Sequence, residues 1–345
     1  VGKIVDLDQL QEEASKAMGA PPKGLYDQYE AGEEEPLPDV YANPEEDLKA
    51  EETMSDMKSA LKSAFLGLQE RYAREDRLAG IETGFTELDD IIDGWQRQTV
   101  TLVGARSGMG KSFFGLNLGL QMASRGHMVD YITIEMPTKN QSMRAMFCWS
   151  GVESNKMKLK TMGPDDWNKL VVAINQMRDF PWLWDERGST TIDQIRRQIQ
   201  LVKAKAVANG NTLHTVIVDH ILNIQGSVGK KDRREQVLYI TNQLKAIAKA
   251  EDVCMVGLTQ INRGVEGRKC KRPTISDLKE SGSSEEDADN ILLLYREDYY
   301  KKDKSSWNHI LECDVAKVRE GETGVVKFRE DFGRCRISPI VEEGF

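Results

Sequence analysis

From about residue 80 onward, short apolar runs alternate with longer amphipathic stretches. The runs at 99–103, 129–134, 214–218, 253–258 and 290–295 are almost uninterrupted, the pattern of strands buried on both faces. The stretches at 112–124, 138–148, 165–178, 191–208 and 234–250 repeat apolar positions at helical spacing. Strand and helix in alternation predict an α/β fold with a mostly parallel sheet covered on both faces. Two further strand-like stretches, 310–318 and 325–329, predict a sheet extension near the C-terminus. No long internal repeat is visible.

Upstream the pattern changes. Met54, Met57, Leu61, Phe65, Leu68 and Tyr72 recur at spacings of 3, 4, 4, 3 and 4, one face of an amphipathic helix within 45–77. No second helix precedes it to complete a bundle. Its apolar face must therefore dock on its own domain, on a missing domain or on another subunit. Residues 1–44 hold five of the ten prolines and the run Glu33-Glu34-Glu35. They read as a solvated leader with at most a short helix around Asp8–Met18. The expected division is an acidic leader at 1–44, a linker helix at 45–79 and one domain at 80–345.

Charge follows that division. The net charge is −9, but residues 1–80 carry 19 acidic against 9 basic side chains, and the remainder carries 37 against 38. Acidity belongs to the leader, so the low overall charge does not exclude a nucleic-acid partner. No apolar run approaches the roughly 20 residues of a membrane span, so no membrane association is expected. The start, Val1 to Asp6, lacks a secretory pattern and an initiator Met, which suggests a processed chain or a fragment. The five cysteines show no C-x-x-C spacing. Neither zinc nor a disulfide framework is indicated, and a reducing cytoplasmic setting is expected.

The chemistry begins at Ala105-Arg106-Ser107-Gly108-Met109-Gly110-Lys111-Ser112, between a predicted strand and a predicted helix. That is the context of a phosphate-binding loop. Backbone N–H groups of Arg106, Ser107, Gly108, Met109 and Gly110 would cradle phosphate, aided by the helix start. Lys111 would reach the outer phosphates of ATP or another nucleoside triphosphate, and the Ser112 hydroxyl would bind Mg²⁺. The strict pattern wants Gly where Ala105 stands. An isolated Gly-Lys-Ser is also an ordinary turn before a helix; the flanking elements favour nucleotide binding.

Hydrolysis needs more than a cradle. Asp219 ends the apolar run Val216-Ile217-Val218 and can hold a water on Mg²⁺, or can simply cap a turn. Glu135 follows the strand after the loop helix and can activate water. Gln260 ends another strand and can sense the γ-phosphate. Parallel strands end on one rim, so Lys111, Glu135, Asp219 and Gln260 should converge.

Several stretches, in order over about 80–338, resemble the motor domain of DnaB-type replicative helicases. They are the phosphate loop with its Ala105, Ile134-Glu135-Met136-Pro137, Leu258-Thr259-Gln260-Ile261-Asn262-Arg263, Lys271-Arg272-Pro273, Ser276 to Ser283, Glu286-Asp287-Ala288-Asp289 and Ala316 to Gly321. The resemblance implies a RecA-like ATPase core in a homohexameric ring that moves 5′ to 3′ on single-stranded DNA. It implies ATP between subunits, with Lys317 and Arg319 reaching in from the neighbour. By themselves, Lys317 and Arg319 read equally as solvated residues sharing one strand face. It also implies that Lys279, Glu280 and Gly282 touch the DNA strand. The family favours Arg at 279, so Lys279 offers a point charge instead of a fork. Lys230, Lys231 and Arg233 form a second basic loop, either DNA-binding or solvated surface. In the family the 45–77 helix docks on the adjacent subunit, and a loader and primase are partners. His220 stands where the family usually has Tyr, a change read as one of packing. Residues before 45 do not match the family's helical collar, which suggests a fragment or a divergent viral or plasmid-borne member. A RecA-like recombinase or signalling ATPase shares the loop, Glu135 and Asp219, but would not need the 277–282 stretch together with the Lys317/Arg319 pair.

Overall fold

The computed structural model describes residues 78–225, 233–278, 288–319 and 321–340, together with positions 57, 60, 61, 65 and 69. The chain divides into two units, Val1–Arg77 and Leu78–Phe345. In the first, the described positions are helical, and Met57, Leu61 and Phe65 are exposed. The expected leader and its short helix lie outside the described residues.

The second unit is built on a nine-stranded sheet. Six strands are parallel: β1 (Val100–Ala105), β2 (Met128–Thr133), β3 (Trp182–Glu186), β5 (Leu213–Asp219), β7 (Cys254–Gln260) and β8 (Asn290–Tyr295). An antiparallel extension follows, β9 (Ile310–Lys317), β10 (Gly324–Asp331) and β11 (Arg336–Pro339). The order across the sheet is β11-β10-β9-β8-β1-β7-β5-β2-β3. Two short strands, β4 (Thr190–Thr191) and β6 (Ile224–Gln225), pair separately. The expected α/β architecture is therefore present, and all seven predicted strands form.

Alternation along the strands fills two cores. On one face Val103, Tyr131, Ile217, Val256 and Leu292 pack with α1 (Thr86–Ile92) and α2 (Lys111–Ser124). On the other, Leu102, Ile132, Val218, Met255 and Leu293 pack beneath α6 (Ile192–Ala208) and α7 (Arg233–Glu251). Three helices come between α2 and α6 along the chain: α3 (Thr138–Ser150), α4 (Ser154–Leu159) and α5 (Pro164–Met177). Helix α2 is buried nearly all round, as an α/β crossover helix is when a second layer covers it. Its close seating needs Gly119, where a Cβ would come within 2.7 Å of the Trp182 ring.

One buried group works against the fold. Asp130 on β2 is fully buried, and neither carboxylate oxygen has a hydrogen-bond partner. Burial, reinforced by nearby Asp185, pushes its pKa up to about 7, while Arg187 pulls the other way. Arg187 is itself committed to Asp185 at 2.7 Å. The folded state thus holds a proton that the unfolded chain releases near pH 4, and stability is lost as pH rises from about 4 through 7. Asp130→Asn removes the titration at constant shape. It should add ~2–4 kcal/mol above pH 7 and almost nothing at pH 4. Melting curves at pH 5 and pH 8 check this; an equal shift at both would exclude a charge origin.

Candidate active site

The loop between β1 and α2 is the floor of a cavity of about 380 Å³ lined by Ala105, Arg106, Ser107, Gly108, Gly110, Lys111, Ser112, Glu135 and Gln260. Gly110 adopts φ +100, and a Cβ there would meet the Phe332 ring at 2.9 Å. Only glycine serves at that turn without strain. Met109 departs from the expectation: its side chain turns into the core, and its N–H donates to the Arg106 carbonyl at 3.1 Å. Arg106 lines the cavity but sends its guanidinium elsewhere. Nε donates to Glu266 at 2.9 Å and Nη1 to the Ile261 carbonyl at 2.8 Å. The loop is thereby tied to the segment that follows β7, as is Ala105, whose carbonyl accepts from Ile261 N–H at 2.9 Å.

The sheet register brings the other groups to the same rim. Ala105 pairs with Gln260, and Thr133 with Asp219. One residue past β2, Ile134 N–H donates to the Asp219 carbonyl at 2.8 Å, and the Thr133 hydroxyl donates to the Met136 carbonyl at 2.6 Å. This fixes the backbone on both sides of Glu135. Its side chain is 57% exposed and stands 3.4 Å, Oε2 to Nε2, from largely buried His220. The residue read as a packing change thus faces the candidate base.

Asp219 is buried. Its Oδ2 accepts from the Tyr131 hydroxyl at 3.2 Å and from Gln141 Nε2 at 3.4 Å. Its Oδ1 is buried with no hydrogen-bond partner. Burial and the neighbouring Asp219 carboxylate hold the Tyr131 phenol well above its ordinary pKa, so Tyr131 stays a donor. A buried acceptor oxygen with no hydrogen-bond partner fits a divalent cation or a water bound to one.

Three residues that line the cavity have no motif to announce them: Arg144, Phe332 and Cys335. The last two come from the turn between β10 and β11. Asn117 on α2 pins that turn, donating to the Cys335 carbonyl at 3.1 Å and accepting from Ile337 N–H at 3.0 Å. Phe332 stacks on Phe113 at 4.5 Å, and Arg296 lies 4.2 Å from its ring centre.

Lys317 and Arg319 do not join this site. Lys317 pairs with Ile291, which is level with Leu102 near the start of β1. They therefore sit toward the opposite edge of the sheet. There Lys317 Nζ donates to the Ala288 carbonyl at 2.7 Å, and Arg319 Nη1 to Asp289 Oδ1 at 2.8 Å. Lys279, Glu280, Gly282, Lys230 and Lys231 lie outside the described residues; Arg233 begins α7, and only its backbone is described. Three of the basic side chains between 260 and 279 are paired within the chain. Arg268 pairs with Asp277 at 2.5 Å, Arg272 with Glu312 at 2.8 Å, and Lys271 lies over the Tyr300 ring. The five cysteines are all free. Among the described residues no helix is long and apolar enough to cross a membrane.

Comparison with known proteins agrees with this geometry. Residues 80–335 match the family described as DnaB-like helicase C terminal domain. The chain is 34% identical over 273 residues to the replicative DNA helicase DnaB of Geobacillus stearothermophilus, covering 79% of this chain and 59% of that one. It is 34% identical over 272 residues to the replicative DNA helicase DnaC of Bacillus subtilis, covering 78% and 59%. Among solved structures it resembles an isolated ATPase domain, with TM-score 0.76 and 29% identity over 84% of this chain and all of that one. It also resembles a DnaB-like replicative helicase solved in a study of its interactions with primase, with TM-score 0.75 and 29% identity over 86% and 72%. The chain spans about three fifths of the length of these two curated relatives. The family match over residues 80–335 and the 34% identity to both relatives show that the chain belongs to the DnaB-like helicase C-terminal domain family.

Proposed function

We propose that this chain is the ATP-driven motor of a replicative DNA helicase, working as a homohexameric ring that moves 5′ to 3′ on single-stranded DNA in the cytoplasm. The observation that carries the helicase reading is the family match over residues 80–335; the meeting of the phosphate loop, Glu135 and Gln260 in one cavity, with Asp219 on the same sheet rim, supports the ATPase part. Backbone N–H groups of the loop and Lys111 hold the triphosphate. Ser112 and Asp219 would hold Mg²⁺, which would supply charge neutralisation on the triphosphate. Glu135 takes the proton of the attacking water, and Gln260 reports the γ-phosphate to the segment beginning at Ile261. Arg106 braces that segment through Glu266.

Lys317 and Arg319 lie too far along the sheet to serve their own chain's loop, which supports their acting on a neighbour's nucleotide. The exposed Met57, Leu61 and Phe65 support docking of the 45–79 linker helix on a second copy. Lys279, Glu280 and Gly282, with Lys230, Lys231 and Arg233, are proposed to line the DNA channel. A loader and primase are proposed partners from the family alone.

The test is ATP-dependent unwinding of a forked duplex, with a blocked 5′ arm as comparison. Unwinding that needs a free 5′ arm is expected. ATP hydrolysis without unwinding would favour a RecA-like recombinase or signalling ATPase.

A further inference from the structure

We infer that His220 is a positioning residue for hydrolysis, holding the Glu135 carboxylate through its Nε2. The inference rests on the reading of Glu135 as the water-activating group. Glu135 lies beyond the end of β2, with a side chain 57% exposed. Nothing in its own backbone anchoring fixes where that carboxylate points. Lys111, Arg144 and Gln260 also line the cavity and are groups that phosphate would recruit. His220 is different. It is the residue after Asp219, on the neighbouring strand's end, and its side chain is only 11% exposed. The Thr133–Asp219 register and the Ile134 N–H to Asp219 carbonyl bond place the two strand ends side by side. Nε2 then meets Oε2 at 3.4 Å. An imidazole held in that burial has few rotamers to lose. One carboxylate oxygen thus lies within ion-pair distance of the imidazole. A reacting group misplaced by about 1 Å can cost ~10²-fold in rate, so this anchor acts on turnover and not on nucleotide affinity.

His220→Phe keeps the ring and removes the donor. His220→Gln returns an amide N–H at about the reach of Nε2, and His220→Asn falls short by one carbon. The experiment measures DNA-stimulated ATP turnover, KM and the affinity for a fluorescent ATP analogue for all three, beside Glu135→Gln. The expected result is a kcat about tenfold lower in the Phe and Asn variants. KM and analogue affinity should stay within about twofold, and the Gln variant should recover most of the rate. A wild-type kcat in the Phe variant, a parallel loss of affinity, or a Gln variant as slow as Asn would overturn the inference. Should the Phe variant fail to fold, the Gln–Asn pair decides alone. Turnover persisting in Glu135→Gln would instead reject the base assignment. An inactive Glu135→Gln beside a fully active His220→Phe would reject only the positioning role.

Discussion

Asp219→Asn is expected to cut ATP turnover by at least ~10²-fold while raising the melting temperature by about 2–4 °C. The two effects have one origin. Asp219 buries a carboxylate whose Oδ1 has no hydrogen-bond partner, which is costly to the fold. The side-chain amide has nearly the same shape. Its oxygen still accepts from Tyr131, the donor 3.2 Å from Asp219 Oδ2. Its NH₂ takes the place of Oδ1 and turns donor hydrogens toward the position read for Mg²⁺. The fold gains and the chemistry loses. Had Asp219 merely capped the turn after β5, substitution would lower stability and spare turnover. Calorimetry and steady-state ATPase assays on one preparation separate the cases: opposite signs support the metal role, and a fall in melting temperature with intact turnover ends it.

What was legible in the sequence follows from burial. The interior parallel strands are covered on both faces, so Val100–Ala105 and Leu213–Asp219 appear as mostly apolar stretches without polar alternation. Trp182–Glu186 is an edge strand with mostly half-buried residues, and its Trp-Leu-Trp-Asp-Glu offers neither a run nor a clean alternation. Arg336–Pro339 buries only Ile337, too little pattern to detect. The seven-residue helix Thr86–Ile92 is likewise shorter than a reliable period.

The same division runs through the site. Lys111, Glu135, Asp219 and Gln260 were readable because each stands at the C-terminal end of a parallel strand or the helix after it, and topology sends those ends to one rim. Phe332 and Cys335 reach the cavity through an antiparallel turn held by Asn117. No local spacing encodes a contact between α2 and a hairpin near the C-terminus. The facing of His220 and Glu135 depends on the register of two strands far apart in the chain, visible only once Thr133 is paired with Asp219.

Arg319→Ala should abolish hydrolysis, by ~10³–10⁵ in rate, and leave nucleotide binding and folding intact. The fold tolerates the loss because the side chain is 64% exposed and its bond to Asp289 is one of several. Burial draws the Asp289 carboxyl upward, but Lys245, Arg319 and the Val100 N–H together hold it below the usual carboxylate range. With Arg319 gone, Lys245 and the Val100 N–H remain. The decisive measurement is complementation. A Lys111→Ala chain lacks a working loop but keeps Arg319; an Arg319→Ala chain keeps the loop but lacks the arginine. Each alone should be inactive. Mixed before assembly in equal amounts, they regenerate an intact loop facing an intact arginine at roughly a quarter of interfaces in a closed ring. ATP turnover should reappear in the mixture and in neither component. A silent mixture that still forms mixed rings would place Arg319 outside the neighbour's site. Full turnover in Arg319→Ala alone would return it to the solvated strand face that its exposure also allows.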